Sequence, residues 1–163
     1  MSRGKGAPDA GVVITREDPC APDLDLLFAR HAADMHADTP PESIHMLPRA
    51  DLRAPDIAFY VLRDAAGRPL GMGALKRFAA HEGEVKSMHV LAEARGQGLS
   101  RLLLDHLAAE ARAAGMRRIS LETGVQPTFV AARALYHRAG FVECGPFGDY
   151  GPDPNSVFMT RTI

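Results

Sequence analysis

The sequence predicts an α/β protein with a mixed, mostly antiparallel central sheet of about seven strands and helices on both faces. Three observations carry this. Short β-branched or aromatic runs are joined by tight turns, the mark of antiparallel hairpins. Two segments repeat apolar residues at helical spacing and then stop at a glycine, Gly115 or Gly140. The first of these segments lies between two strands, and such a strand–helix–strand crossover is right-handed and pairs its strands in parallel.

Taken in order, Val12–Thr15 is a short β-branched run and a first strand. Leu24, Leu27, Phe28, His31 and Met35 share one stripe, so Asp23–Met35 predicts an amphipathic helix, ended by Pro40 and Pro41. Glu42–Leu52 is expected as a short second helix or an ordered loop. Ile57–Arg63 and Leu70–Phe78 flank the turn Asp64–Gly67 and read as a hairpin. Glu84–Val90 alternates and is another strand. Leu99–Ala114 is a helix, with Leu99, Leu103, Leu107 and Ala111 on its buried stripe and Arg101, Asp105 and Arg112 outside it. Arg118–Thr123 is a strand and Pro127–Arg138 a helix. Phe141–Cys144 and Ser156–Thr162 are the last strands, joined by the turn-rich GPFGDYGPDPN.

The chain has 163 residues, 46% hydrophobic and 24% charged, which is globular composition. One domain is expected over residues 12–163, preceded by a mobile tail over residues 1–11 that is rich in Gly, Ala and Pro. Net charge is −1, so no global basic field exists to hold nucleic acid, while a local phosphate site stays open. Sixteen of the nineteen basic residues are arginine, a bias read chiefly as composition. Cys20 and Cys144 cannot make a disulfide framework, and no Cys/His spacing suggests a metal. The first ten residues lack the apolar region of a signal peptide, and no apolar run nears the ~20 residues of a membrane helix. A cytoplasmic protein with no membrane partner is therefore expected.

The passage that carries chemistry runs from the strand EVKSMHV (Glu84–Val90) through the turn RGQGLS (Arg95–Ser100) into the leucine-rich helix. Glycines let backbone N–H groups approach a ligand, and the helix start adds unpaired N–H groups and a positive dipole end. That is an anion site suited to a pyrophosphate. It is neither a Walker loop, which ends in Gly-Lys-Ser/Thr, nor a dinucleotide fingerprint, whose third glycine position holds Arg101.

VLAEARGQGLSRLLLDHL resembles the acetyl-CoA-binding motif of the GCN5-related N-acetyltransferases, Gln/Arg-x-x-Gly-x-Gly/Ala. Arg95, Gly98 and Ser100 take its fixed positions, with serine replacing the usual Gly/Ala. A second segment, with Ala132, Leu135, Tyr136, Gly140 and Phe141, resembles the family's A-x-x-L-Y-x-x-x-G-F signature. Phe129 stands where many members carry an asparagine.

The resemblance implies direct acetyl transfer from acetyl-CoA to a primary amine, with no metal, and a splayed parallel strand pair in the sheet. It places Met88, His89 and Val90 along the pantetheine arm, where a backbone N–H stabilises the oxyanion. Arg95, Gly96, Gln97, Gly98, Leu99, Ser100, Arg101, Phe129 and Arg133 complete the implied cofactor-binding set. Tyr136 is the implied general acid. The base is open between Glu122 and Glu84, with His45, His89 or a water chain as further options. The acceptor side falls on two loops, where Glu42, Ser43, His45, Asp149, Asp153 and Tyr150 are candidates. The acceptor is expected to be a small-molecule amine. A protein N-terminal or lysine acetyltransferase and a non-catalytic acyl-CoA-binding module are the alternatives, and a homodimer is compatible with the family.

Overall fold

A computed structural model describes residues 11–163. Its regular elements are β1 (Val13–Arg16), α1 (Asp25–Asp38), β2 (Ile57–Arg63), β3 (Pro69–Ala79), β4 (Glu82–Val90), α2 (Leu99–Ala113), β5 (Arg118–Gly124), α3 (Val130–Arg138), β6 (Val142–Cys144) and β7 (Ser156–Thr162). The tail expected over residues 1–11 lies, apart from Gly11, outside the described residues.

The strands form one sheet in the order β1-β2-β3-β4-β5-β7-β6. Every pairing is antiparallel except β4 with β5, the two strands joined by the α2 crossover. Phe59, Tyr60, Val61 and Leu62 of β2 are all buried, so both faces of the sheet are covered. On one face Phe59 stacks on Phe28 of α1 at 5.7 Å. On the other, Leu103 and Leu107 of α2 lie over Gly71 and Gly73 of β3.

The helices follow from their sequence. Leu99, Leu103, Leu104, Leu107, Ala108 and Ala111 form the buried stripe of α2. Both α2 and α3 end in a glycine with positive φ, Gly115 at 83° and Gly140 at 91°. The next residue then bonds back five positions, Met116 N–H to Ala111 and Phe141 N–H to Tyr136, each at 3.0 Å, satisfying carbonyls the helix leaves open. Between α1 and β2 the structure has two 3-10 turns, Pro41–Ser43 and Arg49–Arg53, rather than a second α-helix. Pro41 and Pro48 push the residues before them out of helical conformation. A 3-10 turn, Pro127–Phe129, likewise precedes α3.

Two departures from regular pairing open the sheet. The β4–β5 register covers only Glu82–Glu84 against Arg118–Ser120, after which the strands diverge. Opposite Gly73 of β3, β4 inserts an extra residue: Met72 pairs with His89 but Ala74 with Lys86, and Ser87 takes φ 56°. A bulge of this kind bends its strand away from the ladder. Beyond Glu84, β4 therefore has an edge that β5 does not cover.

Candidate active site

The fork between β4 and β5 holds a cavity of about 540 Å³. Its sides come from β4 and β5, its ends from α1, the β4–α2 turn, α3 and the loop around His45. Thr128, just before α3, donates to Asp38 at the end of α1, which ties the segment after β5 to α1.

At one end lies the glycine turn. Gly96 and Gly98 sit at φ 82° and 77°, left-handed values that suit glycine. Among the described residues no side chain caps α2 at Gly98, so the first N–H groups of the helix keep no side-chain acceptor there. Arg95 donates through Nε to the Val90 carbonyl at 3.1 Å and through Nη2 to Asp34 at 3.3 Å. Arg101 is exposed and pairs with Asp105 at 2.9 Å.

Along the middle run Met88, His89 and Val90 on one arm and Thr123 and Gly124 on the other. His89 is buried against His31, ring centroids 5.4 Å apart, and burial depresses both imidazoles, His31 to about 4. Phe129 occupies its place by packing on a bare backbone, because a Cβ on Gly124 would overlap its ring. Gly124→Ala should therefore push Phe129 into the cavity and raise KM for acetyl-CoA on the order of tenfold, measured by initial rates.

At the other end the titratable groups converge. Tyr136 of α3 is buried with its ring edge-on to Phe141 at 5.8 Å. Burial, aided by the nearby charge of Glu122, pushes its phenol up to about 12. Burial also raises the Glu122 carboxyl, and the positive fields of His45 and Lys86 offset that only in part. Glu84 stands differently: its Oε2 accepts from Tyr150 Oη at 2.5 Å and from Lys86 Nζ at 2.9 Å. Lys86 Nζ also donates to Tyr150 Oη at 3.0 Å. Burial and the Glu84 charge raise the Tyr150 phenol far above its ordinary value.

The two loops over this end are clasped to each other. Ser43 Oγ donates to Asp153 at 3.1 Å, Asn155 Nδ2 to Ser43 Oγ at 3.2 Å, and His45 Nε2 lies 3.3 Å from Asp153. The His45 ring meets Tyr150 edge-on at 5.3 Å.

The structure thus brings Glu84, Met88, His89, Val90, Arg95, Gly96, Gly98, Leu99, Ser100, Arg101, Glu122, Phe129, Tyr136, His45 and Tyr150 to one cavity. It does not bring Gln97, Glu42 or Asp149, which are exposed outside it, and Ser43 serves the clasp. Nor does it bring Arg133, whose guanidinium donates to the carbonyls of Gly124 at 2.5 Å and Gln126 at 3.1 Å and so pins the β5–α3 loop. Lys86 was not singled out by the sequence motifs. Its signal was its place two residues after Glu84 in an alternating strand, which puts both on one face.

An opening of this shape accommodates a narrow, extended molecule with an anionic end at the glycine turn, and a sheet forked in this way is an N-acetyltransferase fold. The chain belongs to the acetyltransferase (GNAT) family, whose model matches residues 24–141. It is 43% identical over 137 residues to the uncharacterized N-acetyltransferase YsnE of Bacillus subtilis (strain 168), covering 84% of this chain and 90% of that one. It is 42% identical to an IAA acetyltransferase of Azospirillum brasilense, covering 93% of this chain and 98% of the relative. A crystal structure of an acetyltransferase from Streptococcus agalactiae superimposes with TM-score 0.77 at 20% identity, over 94% of this chain and 99% of that one, a likeness of fold.

The protein is an N-acetyltransferase, and its family implies acetyl-CoA as co-substrate. The residues present fit that molecule. The uncapped start of α2 suits its pyrophosphate, and the uncovered edge of β4 offers backbone groups to an extended arm. Among the described residues no group of three or more His, Cys, Asp or Glu could hold a metal ion, and no helix is long and apolar enough to cross a membrane.

Proposed function

We propose that residues 12–163 form one domain that moves the acetyl group of acetyl-CoA to the primary amine of a small molecule. The observation that carries this is the clasp of Ser43, His45, Asp153 and Asn155, which ties together the two loops beside the acceptor end and so favours a small acceptor over a peptide. The relative from A. brasilense, named for acetylation of IAA, a small molecule, supports the same size class.

When bound, acetyl-CoA supplies a thioester that a neutral amine attacks directly. The chain's own residues then have three tasks. Glu122, raised by burial and with no ion pair among the described residues, takes the proton from the acceptor's ammonium. Backbone N–H groups among Met88, His89 and Val90 polarise the acyl oxygen from the uncovered edge of β4. Tyr136, still protonated at neutral pH, gives its proton to the departing sulfur and regains one from the second proton that the acylated nitrogen sheds. Glu84 serves as anchor for Lys86 and Tyr150, because its accepting oxygen is already taken by both.

The test is acetyl-CoA binding by calorimetry together with thiol release over a panel of small primary amines and of peptides with free N-termini or lysines. Binding with turnover of at least one small amine is expected. Absence of acetyl-CoA binding, or turnover of peptides alone, would overturn the reading.

A further inference from the structure

The acceptor end contains a cation that the transfer reaction does not use. Lys86 is nine-tenths buried, with its side chain 9% exposed, and it lines the cavity. An ammonium has three N–H donors. Among the described residues two of them have acceptors, Glu84 Oε2 at 2.9 Å and Tyr150 Oη at 3.0 Å. The third has none among the described residues. Burying an unspent charged donor is costly unless something in the site accepts from it.

Composition does not explain the residue. The chain uses arginine sixteen times and lysine three, at Lys5, Lys76 and Lys86. A compact head with independently aimed donors bonds two protein groups and still faces a third, whereas a planar guanidinium fork is committed to one plane.

Position supplies the remaining constraint. Glu84 pairs with Ser120 as the last bridge before the fork. Lys86 and Glu122 each lie two residues further on, so they stand at the same level on the same face, one on each arm. The field of Lys86 reaches Glu122, as a minor contribution after burial and His45. Glu84 and Lys86 form a neutral pair, and the third N–H of the ammonium remains as a donor for an acceptor group in the cavity. The fork thus presents a donor-rich cation on one arm and, at the same level on the other, a carboxylate that the positive fields around it compensate only in part.

We infer that the acceptor carries a carboxylate beside its amine, as an amino acid does, with the carboxylate held by Lys86 and the amine turned toward Glu122. This rests on the primary-amine reading above and narrows it to a substrate class. Lys86 is then a specificity-determining residue, and decarboxylated acceptors lose a charge-assisted bond while leaving a buried donor unpaired.

Matched acceptors test this: L-phenylalanine with phenethylamine, L-tyrosine with tyramine, L-leucine with isopentylamine and L-methionine with 3-(methylthio)propylamine. The readout is the ratio of kcat/KM for each acid to that for its amine. The wild type should favour the acid of at least one pair by about tenfold or more, the effect of one charge-assisted bond. Lys86→Met should lower that ratio about tenfold, and Lys86→Arg should retain part of it. A wild-type ratio at or below one for every pair overturns the inference, as does a ratio that Lys86→Met leaves unmoved. Should Lys86→Met fail to fold, the wild-type ratio and Lys86→Arg decide. Turnover of the amines with none of the acids removes this inference and leaves the primary-amine reading standing. Turnover of neither class removes both.

Discussion

Replacing Tyr136 with phenylalanine is expected to lower kcat by about 10²–10⁴-fold, the usual contribution of a positioned general acid. Acetyl-CoA affinity and thermal stability should barely change. The hydroxyl is what the substitution removes, and the buried ring keeps its edge-on contact with Phe141 at 5.8 Å. With its phenol pushed up to about 12, Tyr136 holds its proton throughout the neutral range. Its loss should therefore appear in kcat and not in a shifted pH profile below pH 10. Thiol release read beside calorimetric binding separates the outcomes. A fall of less than about tenfold would remove the acid role, and lost binding would make the residue structural.

Replacing Glu122 with glutamine should have the second largest effect, a kcat loss of about 10²–10³-fold within the range of general-base catalysis. In the wild type kcat/KM should fall as pH drops through the Glu122 value, which burial holds above the ordinary carboxylate value, and Glu122→Gln should abolish that limb. Stability should move the opposite way. A carboxyl raised on folding stabilises below its unfolded value, and that contribution is lost as pH rises through the folded one. At neutral pH the charged Glu122 therefore opposes folding. Glu122→Gln should raise the thermal midpoint there, by about 2–4 °C per kcal/mol in a chain of this size, and the gain should shrink toward pH 4. Glu84→Gln gives the contrast. It breaks a pair buried on both sides, with side-chain exposures of 9% and 7%, and should destabilise by about 3–5 kcal/mol. Calorimetric scans of the two variants at pH 4 and pH 7.5 test whether the two carboxylates have these separate roles. If Glu84→Gln stabilised the protein and Glu122→Gln destabilised it, the assignments would exchange.

Much of the architecture was legible because local periodicity and its punctuation determine it. The ranges Ile57–Arg63 and Ser156–Thr162, expected as strands, are β2 and β7 as observed. The start of α2 at Leu99 follows from the glycine turn, and its end from Gly115. The stretch between α1 and β2 was harder, because helix-like composition there is overruled by Pro41 and Pro48. The insertion of β7 between β5 and β6 was not legible at all, since pairing order depends on contacts far along the chain.

The site divides in the same way. The glycine turn, the tyrosine helix and the family they define were present in contiguous residues, where a motif has a fixed spacing. Arg133 looked equally eligible on its helix, yet it is spent on the carbonyls of Gly124 and Gln126. By itself the sequence marked most of the strands and helices and the two contiguous motifs, the turn at Arg95–Ser100 and the segment around Tyr136. Only the tertiary structure distinguished the two carboxylates. The hydroxyl that occupies Glu84 comes from Tyr150, 66 residues away, while Glu122 is half-buried and has no ion pair among the described residues. Hydrogen bonds between distant residues and the loss of solvent around a side chain are properties of packing, and no local spacing in the chain records them.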